Sequence, residues 1–210
     1  MFRTFEDIEK YVLGNGIIKK IALCGAHDDS ALSAVVDAVK KGVATAVLIG
    51  DKNETREILT KIGELPDAYE IVDMPDEKDS AAEAVRMVKE GEVDITMKGL
   101  MQTATYMRAI LNKEKGILPA GRILSECTPF EFADDNRFIF VTDCAVNINP
   151  DLNSKVHIIN NAVELAEKFG IKDIKVAALS ALEKVNEKIP GSAEAAQLAE
   201  MEWNNCTVEG

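Results

Sequence analysis

Lys98, Gly99 and Thr103 occupy a turn between an apolar strand-like run, Val93–Met97, and a helix-like segment that begins near Gln102. A helix N-terminus directs unpaired N–H groups and a partial positive charge at whatever lies in front of it. With a lysine and a glycine beside it, the fitting guest is a phosphate or another anion. The surrounding stretch Ile95–Lys113 contains Lys98, Arg108 and Lys113 and no acid, although the chain carries 36 Asp and Glu in 210 residues. At that density a stretch of this length holds about three acids. Arg108 lies roughly one and a half turns into the helix. From there it either reaches solvent or turns inward as a second cation for the same anion.

A second polar group, Thr142-Asp143-Cys144-Ala145-Val146-Asn147-Ile148-Asn149-Pro150-Asp151, follows the apolar run FIFV and precedes a strong helical pattern. Asp143 at a strand end suits orienting a base or binding a polar ligand group, since carboxylates seldom follow buried strands without a partner. Asn147 and Asn149 either donate to an oxyanion or build the turn, and Asn149-Pro150 reads as N-cap and first helical residue. Cys144 reads as a small buried residue rather than a nucleophile, with no histidine near it in sequence.

The elements that must position these residues alternate. Ile17–Cys24, Ala44–Ile49, Tyr69–Val72 and Val93–Met97 are continuous apolar runs, as expected of strands buried on both faces. Between them lie Leu32, Val35, Val36 and Val39 on one stripe, a less regular helical segment Asn53–Ile62, and Ser80-Ala81-Ala82-Glu83 in capping-box form followed by Val85 and Val88. Repeated β-α units predict right-handed crossovers and a parallel sheet covered by helices, an α/β fold. After Gly116 the texture changes. KGILPAGRIL reads as a domain crossing, and ILSECTPFEF and RFIFVTD flank a hairpin turn at Ala133-Asp134-Asp135-Asn136. A helix follows on Leu152, Val156, Ile159, Val163 and Ala166, then a strand at 176–181, a helix near 193–201 and a strand at 203–208. This pattern suggests two α/β domains, 1–118 with the phosphate turn and 119–210 with a mixed sheet.

In parallel α/β sheets ligands sit beyond the carboxyl ends of the strands. Of the four strand-to-helix turns in the first domain, Gly25–Ser30, Gly50-Asp51 and Met74–Asp79 are acidic and most simply supply helix N-caps. Only Met97–Thr103 offers a cation without an acid. No G-x-G-x-x-G or G-x-x-x-x-G-K-[ST] spacing follows any strand, which disfavours the standard nucleotide-binding folds. Met101, Met107 and Ile110 read as core packing rather than an acyl pocket.

The formal net charge is −12, the pI is near 4.7, and there is no basic patch, which speaks against nucleic acid as a partner. No apolar run is long enough to cross a bilayer, and the N-terminus lacks the order of a signal peptide. Four scattered cysteines without a C-x-x-C pair suit a reduced, cytoplasmic setting. Two histidines, His27 and His157, cannot build a metal cluster or a recognisable Ser-His-Asp triad, and His157 reads as a surface or boundary residue of a helix.

MKGLMQT at 97–103 and VTDCAVNINPD at 141–151, with LNKEKG and LSALEKVNEKIP in the expected order, resemble the phosphate acetyl/butyryltransferase family over essentially the whole chain, the butyryl type most closely. The resemblance implies reversible transfer of a short-chain acyl group, with acyl-CoA and phosphate giving acyl phosphate and CoA. It implies the isocitrate/isopropylmalate dehydrogenase architecture, with two α/β domains about a cleft, a homodimer, and no metal or cofactor beyond CoA as substrate. Lys98, the Gly99 backbone and Thr103 would then hold phosphate, Arg108 would stand near them, and Asp143 and Asn147 would serve as catalytic residues of the other domain. Members of the family continue past the position matching Gly210 with a segment bearing a Ser-Arg-Asp type motif for CoA. The resemblance therefore leaves two readings, a phosphotransacylase shortened at its C-terminus or a non-catalytic remnant that binds phosphate, acyl phosphate or CoA.

Overall fold

The computed structural model describes residues 1–132, 134–182 and 184–210, so Ala133 of the expected hairpin turn and Glu183 of the LSALEKVNEKIP motif lie outside the described residues. The chain divides into two compact units, residues 9–120 and residues 1–8 with 121–210.

In the unit 9–120, β1 (Lys19–Cys24), β2 (Ala44–Gly50), β3 (Glu70–Asp73) and β4 (Ile95–Lys98) form one parallel sheet in the order β3-β2-β1-β4. The helices between them are α2 (Asp29–Lys40), α3 (Lys52–Lys61) and α4 (Glu77–Lys89), with α5 (Thr103–Ile110) following β4, and α1 (Phe5–Asn15) precedes the first strand. Alternate strand residues feed two cores, as the pleat requires. Ala22, Cys24, Val47 and Ile49 pack with Ala81, Ala84 and Met87 of α4 on one face. Leu23 and Leu48 pack with Leu32, Val35, Val36 and Leu59 on the other. These strand residues are all fully buried, which is why the sequence shows unbroken apolar runs rather than alternation. Met101 joins the α4 face and is buried, in keeping with its expected packing role.

The three acidic turns supply N-caps. Asp28, Asp51 and Asp76 each accept two backbone N–H bonds at the start of α2, α3 and α4. This displaces the expected capping box at Ser80, because Asp76 begins the helix a turn earlier. Ser80 is instead buried inside α4, where its Oγ accepts from Gly25 N (3.0 Å) and donates to Ile49 O (3.1 Å). One hydroxyl thereby ties the ends of β1 and β2 to the helix that covers them.

The other unit contains an antiparallel hairpin of β5 (Thr128–Phe132) and β6 (Arg137–Val141), then α6 (Leu152–Lys168), β7 (Ile174–Ala177), α7 (Pro190–Glu200) and β8 (Cys206–Glu209). β7 and β8 pair in parallel as a separate two-stranded sheet, so hairpin and parallel pair are not joined into the expected mixed sheet among the described residues. Asp151, not Asn149, caps α6, because its carboxylate reaches Ser154 N at 2.8 Å. The first eight residues belong to this unit through an aromatic cluster. Phe5 meets Phe138 at 5.0 Å and Phe138 meets Phe169 at 5.1 Å, both edge-to-face, and Phe2 N donates to Phe169 O at 2.9 Å.

Removing the Ser80 hydroxyl leaves a buried N–H and a buried carbonyl without this partner. Ser80→Ala is expected to cost about 1–3 kcal/mol, read as a lower urea midpoint at unchanged slope; an unchanged midpoint would show that the bridge is not stabilising.

Candidate functional site

The strand order reverses at β1, whose neighbours are β2 on one side and β4 on the other. A crevice at the carboxyl ends of the strands is expected at such a switch point, and the turns after β1 and β4 meet there. Their backbones continue the ladder beyond the strands, with Gly99 N donating to Cys24 O (2.8 Å) and Leu100 N to Gly25 O (2.9 Å). The approach leaves no room for side chains. A Cβ on Gly99 would stand 2.3 Å from Gly25 O, and one on Gly25, at φ +67°, would stand 2.6 Å from Leu100 O. Gly99 therefore allows the approach, and its N–H is not available to a phosphate as the sequence suggested.

Lys98 is half-buried, and its Nζ donates to Gly99 O and Met101 O, each at 3.2 Å. An ammonium has three hydrogens, so two hold the turn and one remains. Lys98 has no carboxylate partner among the described residues. At the N-terminus of α5, Met101 N is taken by Gly99 O, whereas the exposed Thr103 and Ala104 N–H groups have no partner among the described residues. Gln102 N donates to Glu77 Oε2 at 3.1 Å. The turn is free of acids in sequence but not in space. Arg108 does not join it: the side chain is exposed in the last turn of α5, about 7–8 Å along the axis from Thr103. Beneath the turn Cys24 is buried, its Sγ 3.3 Å from Met97 O, and burial pushes its thiol up to about 11 against the opposing effects of Thr96 and Lys98. A protonated, buried thiol is no nucleophile.

In the other unit the 142–147 loop is built around Asp143. Its Oδ1 accepts from Ala145 N (3.0 Å) and Val146 N (2.8 Å), and its Oδ2 from Glu126 N (3.2 Å) and Asn147 Nδ2 (2.6 Å). Partial burial alone would raise its pKa, but these bonds outweigh it and hold the carboxyl below its ordinary value. Asn147 gives its other amide hydrogen to Leu124 O at 2.9 Å. With acceptors on both sides the amide has one sensible orientation, and no hydrogen is left for an oxyanion in this conformation. Glu126 completes the frame by accepting from Cys144 N at 3.1 Å. Cys144 itself is exposed, contrary to the expected burial, because the loop turns back on Asp143 and leaves the thiol outside. His157 is half-buried on α6, as expected of a boundary residue. Two grooves of this unit, of about 580 and 460 Å³, run beside α6 and β8 and include neither Asp143 nor Asn147.

The structure thus brings Lys98, Gly99 and Thr103 into one turn and Asp143 and Asn147 into one loop. Glu77 and Ser80 escaped sequence reasoning because their partners are distant in the chain. Among the described residues, no group of three or more His, Cys, Asp or Glu could hold a metal ion, and no helix is long and apolar enough to cross a membrane.

A parallel α/β sheet with a cationic, donor-bearing turn at its switch point defines a fold suited to an anionic substrate, and the comparisons narrow it to the phosphotransacylases, which are acyltransferases. The phosphate acetyl/butaryl transferase family profile matches residues 74–210. The chain is 40% identical to the phosphate butyryltransferase of Clostridium acetobutylicum, over all of this chain and 70% of that protein. To that of Clostridium beijerinckii it is 39% identical, over 91% of this chain and 65% of the relative. A branched-chain phosphotransacylase from Enterococcus faecalis V583 superposes with a TM-score of 0.75 at 28% identity, over 92% of this chain and 68% of that structure. The chain belongs to the phosphate acetyl/butaryl transferase family, and it spans about two thirds of the length of these relatives.

Because the folded pKa of Asp143 is depressed, its contribution to stability is present above the ordinary carboxylate pKa of about 4 and is lost as pH falls through the lower folded value. Asp143→Asn is accordingly expected to destabilise the chain at neutral pH, with the difference from wild type shrinking below about pH 4. Denaturant titrations across pH read this, and a difference constant down to pH 2 would contradict it.

Proposed function

We propose that the chain supplies the phosphate-handling part of a phosphotransacylase that moves a short-chain acyl group, butyryl foremost, between CoA and inorganic phosphate. The observation that carries this reading is the Lys98–Thr103 turn at the sheet's switch point: among the described residues, a half-buried ammonium has no carboxylate partner and stands beside two unpartnered helix N–H groups. The 40% identity to a phosphate butyryltransferase supports the choice of butyryl.

In the forward step a phosphate oxygen attacks the thioester carbonyl. The new C–O bond forms, the C–S bond breaks, and CoA departs as thiolate to take up a proton. The remaining Lys98 hydrogen and the Thr103 and Ala104 N–H groups bind phosphate oxygens and offset their charge, so that positioning supplies much of the catalysis. Asp143 and Asn147 act by shaping the 142–147 loop, and Arg108 is left out of the phosphate set. Acyl-CoA, phosphate and acyl phosphate are the partners, and no metal or further cofactor enters these steps. The isocitrate/isopropylmalate dehydrogenase type of fold, a homodimer and a cytoplasmic setting belong to the same proposal; the four free cysteines suit a reducing compartment.

Thiol release from butyryl-CoA as phosphate is varied tests the reading. Lys98→Met keeps the aliphatic stem and removes the charge, and is expected to raise the KM for phosphate about tenfold or more while the KM for butyryl-CoA stays within about twofold. An unchanged phosphate dependence would remove Lys98 from the site.

A further inference from the structure

The phosphate seat proposed above already holds an anionic group of the protein's own. Glu77 lies in the first turn of α4, half-buried, and its Oε2 accepts the Gln102 N–H at 3.1 Å. The α4 backbone that carries it is anchored one turn further along by Ser80, which bonds both Gly25 N and Ile49 O. Its neighbour Asp76 is occupied as the α4 N-cap. Glu77 therefore brings a negative charge to the start of α5, next to the Thr103 and Ala104 N–H groups, without forming an ion pair with Lys98.

Resting on that reading of the turn, we propose that Glu77 is a specificity-determining residue of the phosphate seat: it stands in for a ligand oxygen at Gln102 N–H and sets how much negative charge the seat accepts. Part of the positive end of α5 is answered by Glu77 before any ligand arrives, and an incoming anion meets a like charge at short range. The seat is thereby tuned toward weaker retention of phosphate. A carboxamide at this position keeps the hydrogen bond and removes the charge.

The test is direct binding of inorganic phosphate to this chain by calorimetry, comparing wild type, Glu77→Gln, Glu77→Ala and Lys98→Met, with thermal melts to confirm folding. Glu77→Gln is expected to tighten phosphate binding about three- to tenfold, Glu77→Ala to tighten it also, and Lys98→Met to weaken it. Phosphate binding unchanged or weakened in folded Glu77→Gln, with Lys98→Met still weakening it, overturns the role of Glu77 and leaves the seat intact. Binding unaffected by Lys98→Met, or absent from every variant, overturns the seat and with it this inference.

Discussion

The contact on which the N-terminal sheet depends is the passage of Gly25 against Gly99. Because neither residue has a side chain, the backbones after β1 and β4 stay hydrogen-bonded past the point where strands usually part. That extension fixes where Lys98 stands, turns its ammonium onto the carbonyls of its own turn, and sets the direction in which α5 departs. Ser80 does comparable work on the other side of β1, holding the ends of β1 and β2 to α4. A turn built this way is rigid before any ligand arrives, and rigid donors lose little freedom on binding.

The two polar clusters differ in how much hydrogen-bonding capacity they leave unused. In the Lys98–Thr103 turn a cation and two backbone donors still have capacity to spare. The 142–147 loop has a carboxylate with four donors and an amide with both hydrogens given away. A group whose bonds are all satisfied internally pays the cost of breaking them before it can act on a substrate. The first cluster therefore suits contact with a ligand, and the second suits the holding of a shape.

Much of the N-terminal unit was legible in the sequence because its strands are buried on both faces and its helices are punctuated by aspartate caps. Both are local signals, and Asp28, Asp51 and Asp76 sit where the acidic turns placed them. What escaped was non-local. Ser80 carries the pattern of a capping residue, and only the fold reveals that it lies beneath Gly25. Glu77 is 25 residues from Gln102, so a charge count along the chain finds the 95–113 stretch free of acid while the folded turn is not. The hairpin β5–β6 was visible from its two apolar runs, but its separation from the β7–β8 pair was not, since pairing between strands leaves no periodic trace. Asn149 before Pro150 carried the local pattern of the α6 cap, but the helix begins two residues later, where the Asp151 carboxylate reaches Ser154 N.

The attachment of Phe2 and Phe5 to Phe169 and Phe138 makes the second unit discontinuous along the chain. During synthesis the first eight residues emerge long before the segment that receives them, and residues 9–120 are complete in between. The 9–120 unit can therefore close while residues 1–8 still wait for the unit they belong to, with two phenylalanines exposed to solvent. Loop-closure entropy rises only slowly with the length of the intervening chain, so the long separation costs little in final stability. Its cost is kinetic: Phe2 and Phe5 stay unsheltered for as long as the ribosome takes to deliver their partners.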